Sequence, residues 1–283
     1  MLKIKTHSIY NHFPDNKPSA GDKYVNCYSN EVIGREKIER PAFALMLEPR
    51  SISKSYEYVE SHSEEFDYVF THDSELLKLP NARFLLWGAV WGWADVPKTK
   101  GISLISSDKE ICDLHKLRKA LAIEFEHSSL IDVYGTFGNK SATVDTYTAH
   151  AEYRFAVAIE NYIDDFWFTE KILNCFSHKT VPIYLGARKI GDYFDTRGII
   201  QAKDGTEVRR FIKALGCDER RMRDVYNHMK PAIERNYAKV AEWDVAWRDR
   251  FLSQYGDLLK ELLNGNTKAQ DSRHQAVNHH SSI

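Results

Sequence analysis

Hydrophobic and polar positions along this chain fall into short apolar runs separated by polar, turn-rich stretches. Tyr153–Gly186 has the clearest pattern, YRFAVAIENYIDDFWFTEKILNCFSHKTVPIYLG. Phe155, Val157 and Ile159 alternate with small Ala156 and Ala158, which predicts a strand buried on both faces. The strand delivers Glu160-Asn161 at its carboxyl end. An acidic and aromatic loop follows, Thr169-Glu170-Lys171 opens a helix, and a second strand runs from Thr180 to Leu185 and closes on Gly186. Strand, loop, helix and strand form a βαβ unit, with its polar groups outside the carboxyl end of the strand, where open α/β sheets bind ligands.

The same pattern extends outward. Strands are expected at Phe43–Leu47, Phe66–Thr71, Gly101–Ser106 and Leu130–Tyr134, and an apolar run at Ala82–Trp93. Helices are expected at Tyr56–Glu65, at His115–His127 with Leu117, Leu121 and Phe125 inward, at Gly205–Leu215, at Asp218–Val240 and at Trp247–Leu263. The first forty residues show turn signals but no readable element. The break at Asp95–Lys100 (DVPKTK) suggests an α/β domain over 1–100 and a second over 101–264. Residues 265–283 are polar and aperiodic, and are expected to be disordered.

Bulk properties exclude some classes. A formal net charge of −1 across 283 residues argues against sequence-independent nucleic-acid binding. The apolar stretch Phe84–Ala94 falls short of the ~18 residues of a membrane span. With no apolar leader at the N-terminus, the chain is expected to be soluble and cytoplasmic. Its four scattered cysteines suit a reducing compartment and give no zinc spacing.

The helix beginning at Thr169 presents unpaired N–H groups and a positive dipole end, and Lys171 adds a full charge there. Together they suit a phosphate or diphosphate. Glu170 can accept hydrogen bonds from sugar hydroxyls, Phe166 and Trp167 offer flat faces, and Asn161 is a neutral donor and acceptor. The residues also admit a plainer reading, in which Glu170 and Lys171 are a solvated first turn and Phe166 and Trp167 are core. No glycine-rich phosphate loop is present. Gly135–Gly138 is better read as a tight turn, and His72-Asp73 as a loop pair rather than metal ligands.

The run YRFAVAIEN-x7-TEKI-x7-TVPIYLG resembles the donor-binding motif of the family 10 α-1,3/1,4-fucosyltransferases. Upstream, LIDVYGTFG and FDYVFTHDS resemble that family more weakly. The resemblance implies a GT-B-like α/β fold, with two Rossmann-like domains facing a cleft and GDP-fucose held by the C-terminal one. It implies an inverting transferase with no obligatory metal and a glycan acceptor. On this resemblance Lys171 neutralises the leaving diphosphate, and Glu170 binds donor hydroxyls. Asn161 and Trp167 line the pocket, while Glu160 and Thr169 belong to the same donor-binding set. Glu48, beside Pro49, is the expected general base. The chain departs from the family at Tyr162, where a Ser is usual, at Phe166, and at Thr136, where many members carry an Arg. Lys140 is the candidate substitute for that arginine. These departures leave open another GDP-sugar donor such as GDP-mannose, or a non-catalytic nucleotide-sugar binding protein. The absence of an N-terminal membrane anchor suggests a bacterial or viral soluble type.

Overall fold

A computed structural model describes residues 1–138 and 144–265, which divide into two compact units. The first comprises residues 1–87 together with the chain from Ala246 onward, and the second is Gly88–Val245.

In the first unit, β1 (Ile4–His7), β2 (Val25–Ser29), β3 (Ala42–Leu45), β4 (Tyr68–Thr71) and β5 (Ala82–Phe84) form a parallel sheet in sequential order. Helix α1 (Ser55–Ser61) lies between β3 and β4. Side chains of β3 alternate between faces. Ala42 and Ala44 pack in a cluster with Tyr56 and Val59 of α1, and Phe43 and Leu45 pack in the opposite one.

In the second unit, β6 (Lys100–Ser106), α2 (Asp113–Phe125), β7 (Asp132–Gly135), α3 (Thr146–His150), β8 (Tyr153–Ile159), α4 (Glu170–Ser177), β9 (Val181–Leu185), β10 (Ile200–Gln201), α5 (Gly205–Gly216) and α6 (Glu219–Val240) follow in turn. The parallel sheet has the order β10-β9-β8-β6-β7. All seven residues of β8 are buried, because β6 and β9 flank it and helices cover both faces. From β6 the chain moves to one side to make β7, then returns to the other side for β8. Strand order therefore reverses between β6 and β8, and the crevice outside their carboxyl ends is the topological switch point.

The units divide the chain elsewhere than at the expected boundary of 100/101. The break falls after Trp87, and the last helix, α7 (Trp247–Leu263), packs on the first sheet rather than the second. Its stripe Phe251, Tyr255, Leu259, Leu262 joins Phe43, Leu45 and Phe70, with the Phe251 and Tyr255 rings 4.8 and 4.7 Å from that of Phe70. The Tyr255 hydroxyl donates to the Phe84 carbonyl. Strands β1 and β2 occupy the stretch where the sequence shows no element. The expected disordered tail, apart from Gly265, lies outside the described residues. Among the described residues no helix is long and apolar enough to cross a membrane.

Candidate functional site

The carboxyl end of β8 delivers Glu160 and Asn161 to the switch point, and the two take different roles. Glu160 is fully buried. Its Oε1 accepts from the Thr169 backbone N–H at 2.9 Å, and its Oε2 accepts from the Thr169 hydroxyl at 2.8 Å. Thr169 is the N-cap of α4, extended at φ −135°, and its Oγ1 accepts from the Lys171 N–H. The acid thus clamps the cap, and the cap fixes where the first turn begins. Gly186, at the end of β9, makes room for this arrangement. A Cβ there would lie 2.5 Å from Glu160 Cγ and 2.4 Å from the Tyr184 hydroxyl.

Lys171 follows from that clamp. Its Nζ lies 3.0 Å from Thr169 Oγ1, 3.1 Å from Glu170 Oε1 and 3.5 Å from Glu160 Oε2. Burial opposes its charge, but the carboxylates of Glu170 and Glu160 outweigh this and hold the ammonium pKa above its ordinary value. Glu160 is shifted up by burial, against the pull of Lys171. Burial also acts against the Glu170 carboxylate, yet Lys171 brings its pKa below normal. Lys171 and Glu170 side chains remain 22% and 20% exposed, so both can reach a ligand. Glu160 and Thr169 are covered and act by holding the strand end and helix start.

The structure adds two residues that sequence reasoning missed, both on α2. Arg118 is only 9% exposed; its Nη1 donates to the Ile159 carbonyl at 2.6 Å and its Nη2 to Asn161 Oδ1 at 3.2 Å. Burial lowers its pKa, with Glu160 acting in the other direction. His115, one turn earlier, is 4% exposed, and burial together with Arg118, Lys109 and Lys171 brings it down to about 4. The buried face of α2 runs through His115, Arg118, Leu121, Ala122 and Phe125, with Leu117 only half-buried, so it is rotated from the expected leucine stripe. The periodicity did carry a signal: Arg118 stands three residues before Leu121, on the inward face.

Other sequence candidates fall elsewhere. Trp167 is 2% exposed and belongs to the core, so its indole face is covered by protein rather than offered to a ligand. Phe166 is half-buried, with the Lys189 ammonium 4.8 Å from its ring centroid. Thr136 donates its N–H to the Ser106 carbonyl in the tight turn that begins at Gly135. There φ is +108°, and a Cβ would meet the Ser106 carbonyl oxygen at 1.9 Å. Lys140 lies outside the described residues. Glu48 is exposed, in the first unit just past β3, and its backbone is pinned by Asn30 Oδ1 at 2.9 Å and by the Tyr56 hydroxyl at 2.8 Å. Asp73 pairs with Arg50 at 2.7 Å and accepts from the N–H groups of Glu75 and Leu76, a loop role as expected. Among the described residues no three His, Cys, Asp or Glu side chains are grouped to hold a metal.

A strand end at a switch point and a clamped helix start here gather two cations and two carboxylates, an arrangement whose chemistry can meet both the charge of an anion and the hydroxyls of a polar ligand. Residues 97–253, more than half of the chain, match the family model described as glycosyltransferase family 10 (fucosyltransferase), C-terminal part. The chain belongs to glycosyltransferase family 10. The match spans the whole of the site just described, from α2 through α4 to β9. An alpha-(1,4)-fucosyltransferase of Arabidopsis thaliana is 30% identical over 95 residues, which cover 32% of this chain and 24% of that protein. The chain thus spans about a quarter of the length of that curated relative. Among solved structures, an alpha1,3-fucosyltransferase with GDP superposes with a TM-score of 0.56 at 14% identity, covering 96% of this chain and 92% of the other. A structure of alpha1,3-fucosyltransferase with GDP-fucose gives 0.52 at 14% identity, covering 88% and 80%. At such identities the likeness concerns the fold, which is α/β of the GT-B type, as expected from the sequence.

Proposed function

We propose that this family 10 member is an inverting, metal-independent glycosyltransferase that moves fucose from GDP-fucose to a hydroxyl of a glycan. The observation that carries this reading is the placing of two cations at the end of β8, Lys171 against Glu160 and Arg118 against Asn161. Two cations fixed before the substrate arrives can receive a diphosphate without reorganising, which makes such groups effective where charge develops. In the proposed reaction the acceptor oxygen attacks the anomeric carbon as the bond from that carbon to the diphosphate oxygen breaks. The bonding pair leaves on GDP and the configuration inverts. The transition state is oxocarbenium-like.

Within this scheme Lys171 takes up the charge growing on the leaving diphosphate, and Arg118 supports it while orienting Asn161. Glu170, held as a carboxylate, accepts from donor hydroxyls. Glu48 is the proposed base for the acceptor proton, supported by its exposed carboxylate on a backbone fixed at a strand end. The three buried thiols among four free cysteines fit a cytoplasmic setting.

The non-catalytic alternative rested on the absence of an arginine at Thr136. Arg118, arriving from α2, brings a guanidinium to the end of β8 rather than to the β7 turn that holds Thr136, and this supports the catalytic reading. The deciding experiment is GDP release from GDP-fucose and from GDP-mannose, each with a mixture of glycan acceptors, together with the Glu48→Gln variant. Acceptor-dependent release from GDP-fucose, lost in Glu48→Gln with GDP binding retained, is the expected result. Preference for GDP-mannose would reassign the donor. GDP binding with no release from either would leave a binding protein.

A further inference from the structure

The amino end of β8 carries a second constellation of charge, remote from the donor site. Six residues of strand separate Arg154 from Glu160, about 20 Å at ~3.3 Å per residue. A cavity of about 450 Å³ opens there, walled by the segment before β6 on one side and by α6 on the other. Its α6 wall is a stripe, Arg223, Asn227, Lys230 and Glu234, spaced by four, three and four so that all lie on one helical face.

The charges in this cavity do not cancel. Its two acids, Asp95 and Glu234, both lie 2.8 Å from Lys179, whose single ammonium offsets one of their two charges and leaves one for the other cations. Lys98 is saturated as well, donating to the Ala151 and His178 carbonyls and to the Thr180 hydroxyl. Three cations remain. Arg154 is 9% exposed and donates from Nη1 to the Lys100 carbonyl at 3.0 Å, with no carboxylate partner among the described residues. Lys230 has no ion pair among the described residues, and Arg223 has only Glu219, a pair whose side chains are 50% and 67% exposed. Such an exposed pair is weak. The guanidinium of this buried Arg154 has one neutral acceptor, and a planar donor fork of this kind matches the oxygens of a phosphate.

We infer that this cavity is an anion site for the phosphate group of a phosphomonoester, with Arg154 at its base and Arg223 and Lys230 at its rim. The ligand is either a soluble phosphate ester or a lipid headgroup of the same chemistry. The site is independent of the donor pocket and would persist if the proposed transferase reaction failed.

The test uses the full chain with glycerol 3-phosphate titrated calorimetrically and, in parallel, sedimentation with phosphatidylcholine vesicles with and without phosphatidic acid. The double variant Arg223→Glu/Lys230→Glu changes only exposed side chains, so folding is preserved, and circular dichroism checks this. Arg154→Gln probes the base of the cavity. Saturable binding of glycerol 3-phosphate, weakened at least about tenfold in both variants, is expected from loss of charge-assisted hydrogen bonds. Sedimentation with phosphatidic acid that the double variant abolishes marks the lipid as the source. Binding of the soluble ester without sedimentation marks a free phosphate ester. No saturable binding, or binding and sedimentation unchanged in the double variant, would overturn the inference.

Discussion

Replacing Lys171 with Ala tests the site most directly, because this side chain serves both fold and ligand. Its Nζ stands 3.5 Å from Glu160 Oε2 and 3.1 Å from Glu170 Oε1. Glu160 has no exposure of its own, so removing the ammonium leaves a buried carboxylate held only by the Thr169 amide and hydroxyl. Orphaning one member of a buried pair costs about 3–5 kcal/mol. Lys171 is 22% exposed and water can partly take its place, so we expect less than that, about 2–3 kcal/mol. Transfer should fall by ~10²–10³, the usual effect of deleting one preorganised donor to a developing charge. The contact with Glu160 makes the expected variant a folded but weakened protein.

Two controls separate the effects. Glu160→Gln in the Lys171→Ala background removes the orphaned charge, so most of the lost urea stability should return while transfer stays low. The pH dependence has a defined sign. Burial raises the pKa of Glu160 in the fold, so the folded state binds that proton more tightly than the unfolded chain. Its effect is therefore a loss of stability as pH rises from the ordinary carboxylate range through the raised value. Deleting Lys171 enlarges that loss, so the variant's deficit should be small near pH ~4 and full near pH ~8. Urea midpoints across that range measure it. A variant as stable as the parent at high pH would refute the ion-pair account, and near-normal transfer would refute the assignment of Lys171 to the diphosphate.

Further outcomes follow from single contacts. Gly186→Ala places a methyl against Glu160 Cγ and the Tyr184 hydroxyl, and thermal denaturation should show a loss of about 1–3 kcal/mol; an unchanged melting temperature would contradict the close approach. Trp167→Phe should lower stability by about 1–3 kcal/mol through a core void, with donor KM unchanged; a raised donor KM would return Trp167 to the pocket lining. Arg118→Lys keeps charge but loses the fork that reaches both Ile159 O and Asn161 Oδ1. GDP affinity by calorimetry should drop about tenfold, and a lysine that fully replaces the arginine would show that Arg118 acts only as a point charge.

What the sequence disclosed, and what it hid, has a physical pattern. Strand β8 was legible because both its faces are buried, which leaves an unbroken apolar run. The start of α4 was legible because a Thr N-cap followed by Glu and Lys is a local device. Strand β1 was hidden because it is a four-residue edge strand with one buried residue. Strand β2 was hidden because it buries Asn26 and Ser29, polar residues that only tertiary contacts explain: Asn26 donates to the carbonyls of Glu39 and Pro41. The helical character of α7 was readable, but its partner was not. A stripe of Phe251, Tyr255, Leu259 and Leu262 suits any sheet face, and only packing assigns it to the first.

Arg118 illustrates the limit most sharply. On a helix, an arginine among lysines reads as a solvated face, and nothing local says otherwise. It is buried only because β8, more than thirty residues later, brings the Ile159 carbonyl and Asn161 to meet it. That same strand end holds a fully buried Glu160, so two charged groups occupy a position where apolar side chains would pack without desolvation penalty. Replacing buried ion pairs with hydrophobic residues is often neutral or stabilising. Stability alone therefore does not account for a guanidinium, an ammonium and two carboxylates gathered at one switch point. Places where a chain departs from its own local rules are where function is expected. Here the departure has a definite consequence: Glu160 and Glu170 keep Lys171 charged and in place before any ligand arrives, which is the condition for an electrostatic site to act without reorganising.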